Sequence, residues 1–440
     1  MMRWAMALIA AGAFSIGTTF ASDGGPLVDA LVKKGVLSAQ EGEEIRMEMQ
    51  QAYMGTTGGM LSWGNSAVKG VKLYGDIRLR YQWDDANGGG TVDDERQRLR
   101  YRMRIGADYQ FADNFRAGMR FETGAGNNTT NNTFGDGGNG PFDDTGDALL
   151  VGLAYLTYEN DDIFGSGLVD NVEITLGKMK NQFMIDGAFW DSDINPEGAY
   201  QAVSWDGVFV DNFDITLRTA QYIMTGDDRE GGARNRGDGR DKWHGMYKAQ
   251  MQMDYEYSNK SKFSVAPMFL YADGLPSSID FRGPGAAPLA AGTFNRQHTY
   301  TVLMLPMEYK FKAFGQSNKL KATYGVNLSA EDGDNGGNGQ FAQIGYKIGS
   351  AKKKGSWQID TDFRYLEEDS MPNYIVNSNF YSPGGNQRTG AYGYMVSARY
   401  ALTDNITVTG TWFHAYAIEN DSPFGDEESQ IIQADLNWKF

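Results

Sequence analysis

The sequence predicts an all-β fold: a closed transmembrane antiparallel β-barrel of about 16 strands (roughly 14–18), after a short N-terminal helical segment. Three observations predict it. Polarity alternates with period two along segments of about a dozen residues. The connections between those segments alternate between long and short. No apolar run reaches the roughly 18 residues of a membrane helix, yet the chain carries 24 Tyr, 24 Phe and 9 Trp.

Composition narrows the field further. The 13% aromatic content argues against disorder, and the 56 Gly follow no G-x-y period. With no Cys, a disulfide scaffold and thiolate metal sites are excluded. The net charge of -16 argues against nucleic acid as a partner.

Taken from the start, residues 1–21 read as a signal peptide. Arg3 forms the positive region, Trp4–Ile16 the apolar region, and Thr19 and Ala21 put small residues before the cleavage site. A membrane anchor is the competing reading. Residues 22–65 read as a periplasmic helical hairpin and linker. Pro26 suits a first helical turn, Gly35 a C-terminal cap, and Ser38-Ala39-Gln40-Glu41 is a capping box. The hairpin would pack on its own protein or form a coiled coil.

The barrel is expected over 66–440. In the first strand Leu73, Ile77, Leu79, Tyr81 and Trp83 alternate with Lys72, Asp76, Arg78, Arg80 and Gln82. In the second, Leu99, Tyr101, Met103 and Ile105 alternate with Arg98, Arg100, Arg102 and Arg104. The expected spans are 71–83, 98–111, 115–122, 148–158, 171–178, 199–205, 213–224, 244–257, 262–273, 299–313, 319–329, 340–349, 356–366, 391–402, 405–417 and 431–440. Their length suits a tilted crossing of about 9–11 residues. Long outer loops and short periplasmic turns sort as in a bacterial outer-membrane barrel. Aromatic residues such as Trp83, Phe111, Phe115, Tyr257, Phe311, Tyr416 and Trp438 fall at strand ends, where interfacial girdles sit.

If the apolar face meets lipid, the charged face lines the lumen. Arg78, Arg80, Arg98, Arg100, Arg102, Arg104, Arg116 and Arg120 share that phase on three neighbouring strands. Unpaired charges are too costly for a dry core, so water or an acidic loop is expected beside them. The third long loop, 179–198, carries Phe183, Met184, Ile185, Phe189, Trp190 and Ile194, together with Asp186, Asp191, Asp193 and Glu197. Its apolar content predicts a packed loop, folded inward and bringing those carboxylates toward the arginines as a charged constriction.

These features resemble bacterial outer-membrane porins, and the "putative porin" family above all. The resemblance rests on the segment Leu27–Met49, on Arg-Leu-Arg-Tyr-Arg-Met-Arg-Ile-Gly at 98–106, and on Trp190-Asp191-Ser192-Asp193-Ile194-Asn195-Pro196-Glu197-Gly198. It implies location in the outer membrane of a Gram-negative-type bacterium and passive diffusion of small hydrophilic solutes or ions. It also implies opposed charges on a third loop and an arginine ladder, although the loop motif of general porins is missing. The expected partners are outer-membrane lipid and the solutes, with a homotrimer as the assembly.

No enzyme activity, cofactor or metal is expected. His244, His298 and His414 are the only histidines and none has an evident catalytic partner. The acidic clusters at 93–95, 143–144, 367–369 and 426–428 read as a solvated rim, with divalent cation binding as the rarer alternative. The alternative function is a structural or adhesive barrel with a plugged lumen. A sheath around an electron carrier is a weaker third reading.

Overall fold

The structure is a computed structural model that describes residues 60–61, 70–87, 95–124, 130–135, 149–161, 169–225, 244–272, 299–330, 339–381, 389–418 and 428–440. The signal peptide, the helical hairpin and the 65/66 boundary lie outside the described residues.

Among the described residues the sheet has nineteen strand segments. Two are only two residues long, and two are halves of one wall strand, so sixteen strands form the wall. They are β1 Val71–Asn87, β2 Arg96–Ala112, β3 Phe115–Thr123, β4 Leu149–Asn160, β5 Asn171–Lys178, β6 Glu197–Trp205, β7 Phe213–Thr225 and β8 His244–Glu256. The wall continues with β9, in halves Lys262–Val265 and Met268–Ala272, then β10 Tyr300–Ala313, β11 Gln316–Asn327, β12 Gln340–Gly349, β13 Trp357–Leu366, β14 Ala391–Ala401, β15 Ile406–Ala417 and β16 Glu428–Lys439. Every wall strand pairs antiparallel with its neighbours, and β16 returns to β1 in a ladder from Glu428↔Asn87 to Lys439↔Asp76. The barrel is closed, as lipid demands of any spanning sheet.

The alternating sequence becomes two unlike faces. Leu99, Leu176 and Ile344 are 59%, 51% and 62% exposed on the outside. Their strand neighbours Arg100, Thr175 and Gln343 are buried inside. Aromatic rings gather at both rims of the outer face. Phe111, Phe115 and Tyr158 stack at the short-turn rim, with ring centroids 5.8 and 5.0 Å apart. Tyr392 and Tyr416 stack at the long-loop rim at 5.5 Å.

Local chemistry fixes the turns. Phe314 and Gly315 join β10 to β11 with φ of 54° and 69°, the two left-handed residues of a tight hairpin that suits the sheet's twist. β9 is broken at Ala266-Pro267, because Pro267 has no N–H to give to the ladder. The Pro267 carbonyl still accepts from the Met251 N–H at 3.1 Å, and the Ala266 N–H donates to the Pro306 carbonyl at 2.9 Å. The first and last strands extend beyond their expected ends, to Asn87 and back to Glu428, because each supplies the other with a ladder partner across the seam.

Candidate functional site

The arginines occupy the inner face of β1, β2 and β3, but they do not stand alone. Arg80 makes two parallel bonds to Asp435 of β16, at 2.6 and 2.8 Å. Asp76 accepts from Arg102 at 2.8 Å and from Arg104 at 2.7 Å. Asp84 accepts from Arg98 at 2.5 Å and from Arg96 at 3.2 Å. Arg120 pairs with Glu122 at 2.7 Å, and Arg100 donates to Gln82 at 3.2 Å. Arg78 donates to the side chain of Asn131. Arg116 is exposed near the short-turn rim. Bidentate and fork-shaped pairs of this kind suit a guanidinium, whose donors are fixed in a plane.

Asn131 belongs to the second long connection. Its segment Asn132–Thr133 pairs with Arg100 and Tyr101 of β2, filling the ladder above the end of β3. This part of the connection therefore lies against the wall.

The third long connection, 179–196, packs against the opposite wall. Phe189 is fully buried against Phe341 of β12, centroids 4.8 Å apart. Phe183 meets Tyr200 of β6 edge-on at 5.8 Å. Gln250 of β8 donates to the Met184 carbonyl at 2.8 Å and accepts from its N–H at 2.9 Å. The Lys248 ammonium lies 4.1 Å from the centre of the Phe183 ring and 4.2 Å from that of Trp190, and donates to Asn181 at 3.0 Å. Such cation–π contacts strengthen when water is excluded, and Lys248 is 2% exposed.

The four loop carboxylates take different partners. Asp186 accepts from Lys321 of β11 at 3.0 Å and from Gln343 of β12 at 2.8 Å. Lys321 also bonds Asp362, which pairs with Arg364 at 2.6 Å. Burial raises the Asp186 pKa, but the nearby Lys321 and Arg364 charges outweigh it and hold the group down at about 2. Asp191 accepts from the Ser378 N–H at 3.0 Å and its hydroxyl at 2.9 Å. Burial, and then the neighbouring Asp193 charge, push Asp191 up. Asp193 alone among the four has a wall arginine at ion-pair range, Arg102 at 3.7 Å. Glu197 opens β6 and pairs with Lys178 at 3.1 Å. Lys180, at the start of the loop, has its pKa lowered by burial and then by the charges of Arg120 and Arg104; a cation as well as a carboxylate therefore approaches the arginine wall.

Sequence reasoning missed a second inward loop. Residues 367–381 bury Met371, Ile375, Val376, Phe380 and Tyr381. They interlock with the third loop through backbone and side-chain links: Asp191 N–H to the Ile375 carbonyl at 2.7 Å, Asn377 N–H to the Ala188 carbonyl at 3.1 Å, the Asn377 amide to the Gly187 carbonyl at 3.4 Å, and Ser378 to Asp191. The signal was present, since Met371, Tyr374, Ile375, Val376, Phe380 and Tyr381 are as apolar as the run that singled out the third loop. The acidic cluster Glu367-Glu368-Asp369 drew attention instead. Glu367 caps the neighbouring β12, accepting from the Gln340 N–H at 2.6 Å. Lys248, Gln250, Lys321 and Gln343, which hold the third loop, and Arg364, whose guanidinium lies 4.9 Å from the centre of the Phe380 ring, lie on inner faces but carry no local motif.

His414 pairs with Glu428 at 2.6 Å on the outer face, between Trp412 and Tyr416. Among the described residues no three His, Asp or Glu side chains converge as metal ligands. The clusters at 93–94, 143–144 and 426–427, with His298, lie outside the described residues.

The chain is similar in fold to the high-pH structure of Pseudomonas putida OprB, at 12% identity and a TM-score of 0.48, covering 84% of this chain and 94% of that one. It is similar to Salmonella typhi OmpF, in complex with daunomycin, at 12% identity and 0.45, covering 84% and 98%. Vibrio cholerae OmpT matches at 8% identity and 0.45, covering 87% and 99%. Likenesses at that level add no weight of their own. No curated protein matches the chain. The family model described as "Putative porin" does match, over residues 86–272 and 290–440. That span covers most of the barrel, from the end of β1 through the sealing strand β16: the chain belongs to the putative porin family of outer-membrane β-barrels.

Proposed function

We propose that this porin is a passive diffusion channel for small hydrophilic solutes and ions in a Gram-negative-type outer membrane. The path runs between the arginine face of β1–β3 and the third loop, with its long-loop rim outside the cell. The carrying observation is asymmetry. One wall presents charged side chains braced by their own strand partners, while the third long loop is tied to the other wall by Lys248, Gln250, Lys321 and Gln343, and residues 367–381 interlock with that loop. Charge at a narrow, poorly hydrated passage decides selectivity. On this wall Arg78, Arg80, Arg98, Arg100, Arg102, Arg104, Arg120 and Lys180 outnumber the carboxylates Asp76, Asp84, Asp108, Glu122, Asp193 and Asp435, so the preference is mildly for anions. The net charge of -16 weakens this by keeping the mouth negative.

The plugged structural barrel is the second reading. The buried apolar cluster that takes in Phe189, Trp190, Ile375 and Val376 favours it. Conductance in planar bilayers separates the two. An open, ohmic channel with a reversal potential on the anion side of zero under a salt gradient supports the diffusion channel. A heat-modifiable, folded barrel without conductance sinks it and leaves the plug.

A further inference from the structure

We infer that a row of four lysines at the short-turn end of the lumen, Lys262, Lys310, Lys319 and Lys347 on β9–β12, is a binding site for linear oligophosphates. The inference goes beyond the diffusion channel. It rests only on the inward phase of the row, so a plugged barrel would bind there as well.

The ladder register sets the row. Lys262 lies opposite Lys310, Lys310 opposite Lys319, and Lys319 opposite Lys347. The four share the phase of the buried Ser264, Met304, Thr323 and Gln343 on their own strands, and so face the lumen. Neighbouring strands lie about 4.8 Å apart, which spreads the row over about 14 Å. Like charges set directly opposite one another destabilise a sheet, so the stability of the wall does not call for this arrangement. Few carboxylates offset it. Asp254 pairs with Lys262 at 3.2 Å, and Glu308 is shared by Lys310 at 3.0 Å and Lys319 at 2.7 Å. Asp360 is the ladder partner of Lys347, but it is Lys321 that reaches it, at 3.7 Å. Lys347 therefore has no carboxylate at ion-pair range among the described residues, while the charges of Lys319, Arg399 and Lys352 all act on it.

Residue type and surroundings select the ligand. The arginines of β1–β3 are planar forks, most of them engaged by carboxylates of their own wall. A lysine ammonium is instead a point charge on a flexible stem, with three rotatable donors that take phosphate oxygens from any direction. Four such charges along a line fit a ligand that carries its own charges along a line, as linked phosphates do. A compact anion reaches only one or two of them. The neighbouring sector of the same end has the opposite sign: Glu159 lies opposite Glu173 on β4 and β5, and Asp214 opposite Asp254 on β7 and β8. A chain of phosphates is repelled from that side and held along β9–β12.

Calorimetric titration of the full-length barrel in detergent with sodium tripolyphosphate tests the site without reading any current, so its failure is separate from failure of the channel. Tripolyphosphate is expected to bind roughly tenfold more tightly than orthophosphate, or than citrate, a compact anion of comparable charge. Lys347→Gln, which breaks no ion pair, should weaken tripolyphosphate binding about tenfold, and adding Lys319→Gln should weaken it further. Heat-modifiable migration checks that both variants fold, and the single variant carries the test if the double one does not. Absence of binding would overturn the inference, as would citrate or orthophosphate binding as tightly as tripolyphosphate. So would undiminished binding by Lys347→Gln, or binding lost only in Arg100→Ala with Arg102→Ala, which would put the anion on the arginine wall.

Discussion

The inner face of β16 and β1–β3 and the inner face of β6–β13 solve the same problem differently. Both must satisfy charged and polar groups inside a closed sheet. The first does it strand to strand: Asp435 with Arg80, Asp76 with Arg102 and Arg104, and Asp84 with Arg98. The second does it by bringing in loops: Asp186 to Lys321, Met184 to Gln250, Phe189 to Phe341. A wall braced by its own strands keeps its shape when a loop moves. A wall completed by loops exposes a buried apolar and ionic surface when they leave. The difference teaches that one inner face can lose its loops without disturbing the charged face.

The sharpest way to break the comparison is to remove a loop. Replacing residues 182–193 with a short Gly-Ser linker should raise single-channel conductance roughly twofold or more, while heat-modifiable migration shows that the barrel still forms. Unchanged conductance would mean that the loop does not border the path.

Removing one partner of an ion pair tests each wall by itself. Lys321→Met leaves Asp186 and Asp362 without their shared cation. Breaking a buried pair this way costs about 3 kcal/mol or more, read as a lower denaturant midpoint in lipid or detergent, with loop noise in the current. Asp435→Asn should cost a similar amount through Arg80 but leave the current quiet. Equal noise from both variants would erase the distinction between the walls.

Acid provides a smaller, reversible test. Asp186 is held at about 2 against an ordinary 3.8. A depressed carboxylate contributes stability that is present above the ordinary pKa and lost as pH falls through the folded value. The contribution is on the order of 2 kcal/mol. The loop should therefore stay seated from neutral pH down to about pH 3 and loosen toward pH 2, seen as a rise in conductance. Asp186→Asn should loosen it at neutral pH. A loop that releases near pH 5 in the wild type would contradict the pairing with Lys321.

The smallest effect expected is in selectivity. Arg100→Ala with Arg102→Ala should move the reversal potential by a few millivolts toward cations, because Asp76, Asp84 and Asp193 remain. No shift would place the path away from this wall.

The barrel was legible because the membrane writes it into the sequence twice, as period two and as strand length. Leu99 to Phe111 could hardly be anything but a strand with one apolar face. The shared phase of the arginines on β1–β3 follows from the same alternation, but their carboxylate partners were expected from a loop and not from Asp76 and Asp84 on the same face. Asp435 was hidden, because it reaches Arg80 only when the ring closes. The inward packing of 367–381 and the tether from Asp186 to Lys321 were also hidden. Period two says which face a strand residue takes, but nothing about which loop will cover it. Pairing across 135 residues is set by shape in three dimensions, not by spacing.

The Arg80–Asp435 pair has a consequence for how the ring finds its register. Residues 80 and 435 are 355 positions apart, and tying so long a loop carries a large entropic cost. Slippage by two residues keeps every apolar side chain outside, so hydrophobicity cannot reject it. It would set Arg80 opposite Gln433 or Asn437, both neutral, and leave Asp435 facing Gln82 or Arg78. Only the true register gives Arg80 its two-point carboxylate grip. The pair acts as a key at the seam against slippage toward Gln82, which leaves both charges without their partner and which the lipid, seeing only the outer face, cannot reject; slippage toward Arg78 exchanges one arginine for another and must be rejected by the rest of the ladder.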